Sequence, residues 1–139
     1  MSNEGNSMGK VGVFLYDGFQ EMEFWYPVLR LREIGADVVV IGVDGVGAAT
    51  SVLGYPVVPN VAMTDTSPGD YVALIVPGGD TGKLAANAAF RAFLRDAGER
   101  QVRVAAATQA AALAPAALIA RTTDDVPQWT RTLLTELSR

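Results

Sequence analysis

The sequence contains no cysteine and no histidine. The first absence excludes disulfides and thiolate nucleophiles, the second imidazole bases and haem ligation by histidine. Together they exclude zinc sites of the Cys/His kind and any Ser–His or Cys–His pair. Chemistry is left to carboxylates, hydroxyls, amides, Lys, Arg, Tyr and the backbone; no metal and no cofactor are expected. No run reaches the roughly 18 apolar residues of a membrane span. Residues 1–10, MSNEGNSMGK, lack the apolar core of a signal peptide. A cytoplasmic protein with no membrane partner is expected. Positive charge is also scarce: 11 Lys and Arg against 15 Asp and Glu give a net charge of −4. That balance argues against a nucleic-acid partner bound through its phosphates.

What is present fits one domain. At 139 residues the chain can bury a substantial core, with residues 1–9 read as a disordered tail and 10–139 as a single domain. Residues 11–16 form an apolar run ended by Asp17-Gly18, the pattern of a strand buried on both faces. Residues 20–34 repeat apolar side chains at helical spacing, with Met22, Tyr26 and Leu29 flanked by Trp25 and Val28, and Gly35 as the stop. Residues 37–43 are a second β-branched run, completing a βαβ unit. Residues 45–59, rich in Gly, Ala and Val, suggest short strands or a hairpin.

Residues 71–76 are the next buried strand, leading into Pro77-Gly78-Gly79-Asp80. Residues 84–97 predict one helix with Leu84, Phe90, Phe93 and Leu94 as its stripe, stopped by Gly98. Residues 102–107 are a fourth strand. Residues 109–119 are Ala-rich and helical in propensity, kinked or restarted at Pro115. Residues 129–137 predict a closing helix, with Pro127 near its start and Asp124 or Asp125 as caps. Arg91, Arg95, Arg100 and Arg103 are scattered among acids and read as a solvated face. The order of elements is α/β and doubly wound.

Three segments carry a family resemblance: KVGVFLYDGFQEMEFWYPVLRLREIGADVVVIGVD, YVALIVPGGDTGKL and VRVAAATQAAALA. In this order they resemble the DJ-1/ThiJ/PfpI superfamily, of the class I glutamine amidotransferase-like kind, over roughly residues 10–119. The resemblance implies a three-layer α/β/α, flavodoxin-like sandwich with a mostly parallel sheet, here with a shortened C-terminus. It puts Glu23 at the position of the family carboxylate and Gly78 and Gly79 at the amide turn. Thr108 stands at the elbow where family enzymes carry their cysteine, and Gln109 where a histidine often follows. The nucleophile and the imidazole are therefore both replaced.

A hydroxyl needs an adjacent base to act as a nucleophile, and a carboxylate is poorly matched to that task. The competing reading has Thr108 closing its strand and capping the helix that follows. Glu23 reads either as a buried, satisfied acid left from the family site or as a group that contacts ligand. Glu21 is expected on the solvent side. Asp17 lies at a strand end, where ligands gather in doubly wound sheets, although Asp-Gly is also an ordinary turn. Gly78, Gly79 and the helix start at Gln109 suit a small anion or a carbonyl oxygen, or only a tight turn.

Phe24, Trp25 and Tyr26 are too many aromatics for one core face. In the family this helix commonly lies at a dimer interface, so a homodimer is the expected partner. The leading functional expectation is a noncatalytic pseudoenzyme, a small-molecule binding or dimerising domain with a vestigial elbow. The alternative is a cysteine-independent hydratase, glyoxalase-like lyase or amidase using Glu23 as general acid/base.

Overall fold

The computed structural model describes residues 9–113 and 118–137. Residues 1–8 of the expected tail over 1–9, and the kink at Pro115, lie outside the described residues. A six-stranded sheet runs in the order β5-β2-β1-β6-β7-β8, every pairing parallel. β1 (Lys10–Leu15) holds the centre between β2 (Asp37–Gly42) and β6 (Ala73–Val76). That position explains its unbroken apolar run. β7 (Arg103–Ala107) and β8 (Leu118–Ala120) extend one side, and β5 (Val61–Ala62) ends the other. β3 (Ala49–Thr50) and β4 (Pro56–Val57) pair antiparallel as a separate hairpin.

The chain moves one way from β1 to β2 and the other way from β6 to β7. Right-handed crossovers therefore place the connecting helices on opposite faces. α1 (Glu21–Glu33) shares its face with α4 (Val126–Leu137), and the two helices pack together. On the other face lie α2 (Gly82–Ala86) and α3 (Ala88–Glu99), whose Phe90 and Phe93 meet the ring of Phe14 edge-on. The result is the three-layer α/β/α, flavodoxin-like fold with its core on both sides of the sheet. Among the described residues no helix is long and apolar enough to cross a membrane.

Four local expectations are corrected. The buried face of α1 is Glu23, Phe24, Pro27, Val28 and Leu31, whereas Met22 is 38% and Leu29 56% exposed. The phase of the stripe is thus rotated. Pro27 sits inside the helix and cannot bond the carbonyl of Glu23. The single helix expected over 84–97 is two, broken at Asn87, whose side chain accepts from the Phe90 amide and starts α3. Gly98 lies within α3, and Gln101 takes the left-handed conformation beyond it. Where it is described, the Ala-rich segment is a 3-10 turn over Thr108–Leu113 and strand β8 over Leu118–Ala120, in place of an α-helix. Pairing to β7 (Ala105 to Leu118, Ala106 to Ile119) outweighs its alanine content.

Gly35 ends α1 as expected. It adopts a left-handed φ of 87°, with its amide on the Arg32 carbonyl and that of Ala36 on Leu31. Asp125 accepts from the Thr122 amide and so caps the short turn that leads into α4. Arg100 pairs with Asp96 and Arg103 with Glu136, both at the surface.

Candidate functional site

The site lies beyond the C-terminal ends of β1, β6 and β7, where the sheet changes winding direction. Two loops are joined there by backbone. The Gln20 amide donates to the Gly78 carbonyl at 2.9 Å, the Asp80 amide to Gly18 at 2.9 Å, and Phe19 bridges to Gly79. Gly79 has a φ of 128°, open to glycine and hardly to other residues. Tyr16 adds a side-chain tie, its hydroxyl donating to the Pro77 carbonyl at 2.7 Å. Burial, and then the negative charges of Glu23 and Asp80, push the Tyr16 hydroxyl well above the usual tyrosine range.

Glu23 lies in the first turn of α1, where Gln20 accepts from its amide at 2.8 Å and a negative charge is favoured. Its side chain points inward and is 1% exposed. Oε1 accepts from the Gly78 amide at 2.7 Å and from Thr108 Oγ1 at 2.9 Å. Oε2 accepts from Thr123 Oγ1 at 2.8 Å. Both carboxylate oxygens are therefore occupied by donors, which is what keeps a buried acid affordable. None of the salt bridges among the described residues includes Glu23.

Thr108 follows β7 with a φ of 45°. A β-branched residue there is strained, at a cost of about 1–3 kcal/mol. Its hydroxyl also lies 2.5 Å from Gln109 Oε1, so a single proton serves two acceptors. Gln109 Oε1 in turn accepts from the Gly79 amide at 3.2 Å. The hydroxyl is thus turned onto Glu23 and Gln109, and the expected cap on a following helix is not made. The turn over Thr108–Leu113 is six residues of 3-10 helix, so a full helix dipole at Gln109 is missing too. A Cβ on Gly78 would overlap Thr108 Oγ1 and come within 2.6 Å of Glu23 Oε1. The absent side chain is what lets these groups meet.

The structure thus joins Glu23, Gly78, Gly79, Thr108 and Gln109 in one hydrogen-bonded cluster. Asp17 is not joined to it by a hydrogen bond: its carboxylate accepts from the Thr50 amide at 2.9 Å and anchors the β3–β4 hairpin. Glu21 likewise accepts from Leu53 in that hairpin. Slight burial pushes its carboxyl up, but hydrogen bonds from Ser51, its own amide and Leu53 outweigh this and hold it below the usual carboxylate value. Sequence reasoning missed Thr123 and Tyr16. Tyr16 closes the first strand run and was open to notice; Thr123 carries no motif.

A strand-elbow cluster at the winding switch of a parallel α/β/α sheet defines the class of domain. The chain belongs to the DJ-1/PfpI family, whose family model matches residues 9–134. It is 36% identical over 70 residues to a deglycase of Thermococcus kodakarensis, a match covering 50% of this chain and 42% of that protein. A deglycase of Pyrococcus abyssi is 34% identical over the same length and shares. The match thus spans about two fifths of the length of these curated relatives. Among solved structures, Drosophila melanogaster DJ-1beta aligns with a TM-score of 0.84 at 17% identity, covering 93% of this chain and 90% of that one. A cysteine-to-alanine mutant of a DJ-1 superfamily protein from Salmonella typhimurium aligns equally well at 22% identity, with the same coverage. Both likenesses concern the fold.

Proposed function

We propose that this chain is a noncatalytic DJ-1/PfpI domain that binds a small carbonyl compound or anion at its elbow and pairs with a second copy through α1. One observation carries the reading. The elbow residue is a threonine whose hydroxyl donates into a carboxylate already held by Gly78 and Thr123. A hydroxyl so placed has no matched base, and a carboxylate that already accepts from three donors is a weakened one. The Gly79 amide, held by Gln109 Oε1 at 3.2 Å, is a donor suited to an oxygen atom once that side chain turns away. The name deglycase borne by two relatives agrees with a carbonyl ligand. Pairing is supported by Met22, Leu29 and Ile34, exposed on or just beyond α1, and by Leu53 and Tyr55 on the hairpin that Glu21 holds against it.

The purified protein should leave small α-ketoaldehydes and isocyanides unchanged. Turnover that Glu23→Gln abolishes would favour a Glu23-dependent lyase, hydratase or amidase and overturn the reading. For pairing, sedimentation at about 100 μM should give twice the chain mass, and Leu29→Glu should halve it. A wild-type monomer at that concentration would remove the dimer.

A further inference from the structure

Gln109 is exposed, yet its side-chain oxygen sits at the meeting point of two donors, the Gly79 amide at 3.2 Å and the Thr108 hydroxyl at 2.5 Å. Neither donor belongs to regular secondary-structure pairing. Gly79 presents its N–H outward because of its glycine-only φ, and Thr108 presents its hydroxyl because of the strained elbow. The atom they hold is the sp² oxygen of a neutral carboxamide. We propose that the Gln109 side chain is a resident occupant of a carbonyl subsite, competing with an outside ligand whose oxygen takes the same place, and that this ligand is a neutral amide or aldehyde rather than a carboxylate.

The preference follows from charge. The Thr108 hydroxyl that would bind the ligand also lies 2.9 Å from Glu23 Oε1. Glu23 has no cationic partner among the described residues. A carboxylate at the subsite would face this acidic group across one hydroxyl, and two carboxylates so placed disfavour each other. A neutral carbonyl meets no such repulsion. Ease of displacement follows from exposure. A solvent-facing glutamine surrenders side-chain freedom to hold this position, and its hydrogen bonds return only a modest net gain.

The proposal rests on the binding reading above, and its test separates the two. In ¹⁵N-labelled protein the Gly79 amide reports occupancy directly. Gln109→Ala should shift that resonance upfield and speed its exchange with solvent, since the amide loses its acceptor. Acetamide should then reverse the shift, with an apparent affinity about three- to tenfold tighter than for wild type, the factor one modest hydrogen bond supplies. Gln109→Met, which keeps the bulk and removes the oxygen, should behave as Gln109→Ala. Acetate should bind at least about tenfold more weakly than acetamide. The proposal is overturned by an unmoved Gly79 resonance, by equal acetamide affinity in wild type and variant, by no binding of acetamide to either, or by acetate binding as well as acetamide. Conversion of acetamide to acetate would instead overturn the noncatalytic reading, while tighter binding by the variant would still support the resident occupant.

Discussion

The Thr123 hydroxyl donates to Glu23 Oε2 at 2.8 Å across 100 positions of chain. This contact ties the turn before α4 to the first turn of α1, within the helical layer that the two helices share. Thr123→Val removes the donor and leaves a buried carboxylate oxygen short of a partner. Hydrogen bonds to charged groups are worth about 1.5–3 kcal/mol, and urea unfolding should register a loss of that size. Thr123→Ser should recover most of it. An equal loss for both variants would assign the effect to the threonine methyl instead.

Alkaline pH should act through Tyr16. Its folded-state pKa is raised by burial and by the charges of Glu23 and Asp80, so folding favours the neutral phenol. That contribution is complete below the unfolded value of about 10 and is lost as pH climbs above it toward the folded value. Stability should therefore fall above about pH 10, and Tyr16→Phe should flatten the decline while costing about 1 kcal/mol at neutral pH for the bond to Pro77. Tyr71 is shifted the same way by burial, so some slope should persist in the variant. An unchanged slope would contradict the assignment.

Gly78→Ala places a methyl against Thr108 Oγ1, Glu23 Oε1 and Gln109 Oε1 together. Overpacking of this kind costs about 1–3 kcal/mol. The Gly78 amide resonance should move with it as the bond to Glu23 lengthens. A variant as stable as wild type, with that resonance in place, would mean that the cluster has room to relax.

Thr130 offers a gain. It is 1% exposed on α4 and its hydroxyl has no partner among the described residues. Thr130→Val keeps the shape and removes the unsatisfied group, so thermal unfolding should report about 1 kcal/mol of added stability. A loss of stability would reveal a partner for the hydroxyl.

The sheet and the family were legible because β1 and β6 are short apolar runs buried on both faces, and β2 and β7 become so toward their C-terminal ends, each bounded by turns. The face of α1 was harder to read. Phe24, Trp25 and Tyr26 supply apolar side chains in every direction, and Pro27 does not score as helical even though it is buried in α1. Asn87 divides a continuous apolar stripe by a single side-chain bond that spacing does not reveal. The residues after the elbow misled for a different reason: alanine favours helix, but β7 leaves a parallel edge that Leu118–Ala120 fills. At the site, Glu23, Gly78, Gly79, Thr108 and Gln109 came from the family pattern, whereas Thr123 reaches Glu23 only through the packing of α4 on α1.

Among the described residues the sheet finishes on β5, two residues long, and β8, three. So few free amides and carbonyls give an incoming strand little to zip against. Growth by strand addition is thereby discouraged at both rims, without the lysine or proline guards that longer edges need. An approaching molecule would meet side chains on the helical faces and the loops above the sheet before it met a long free strand edge.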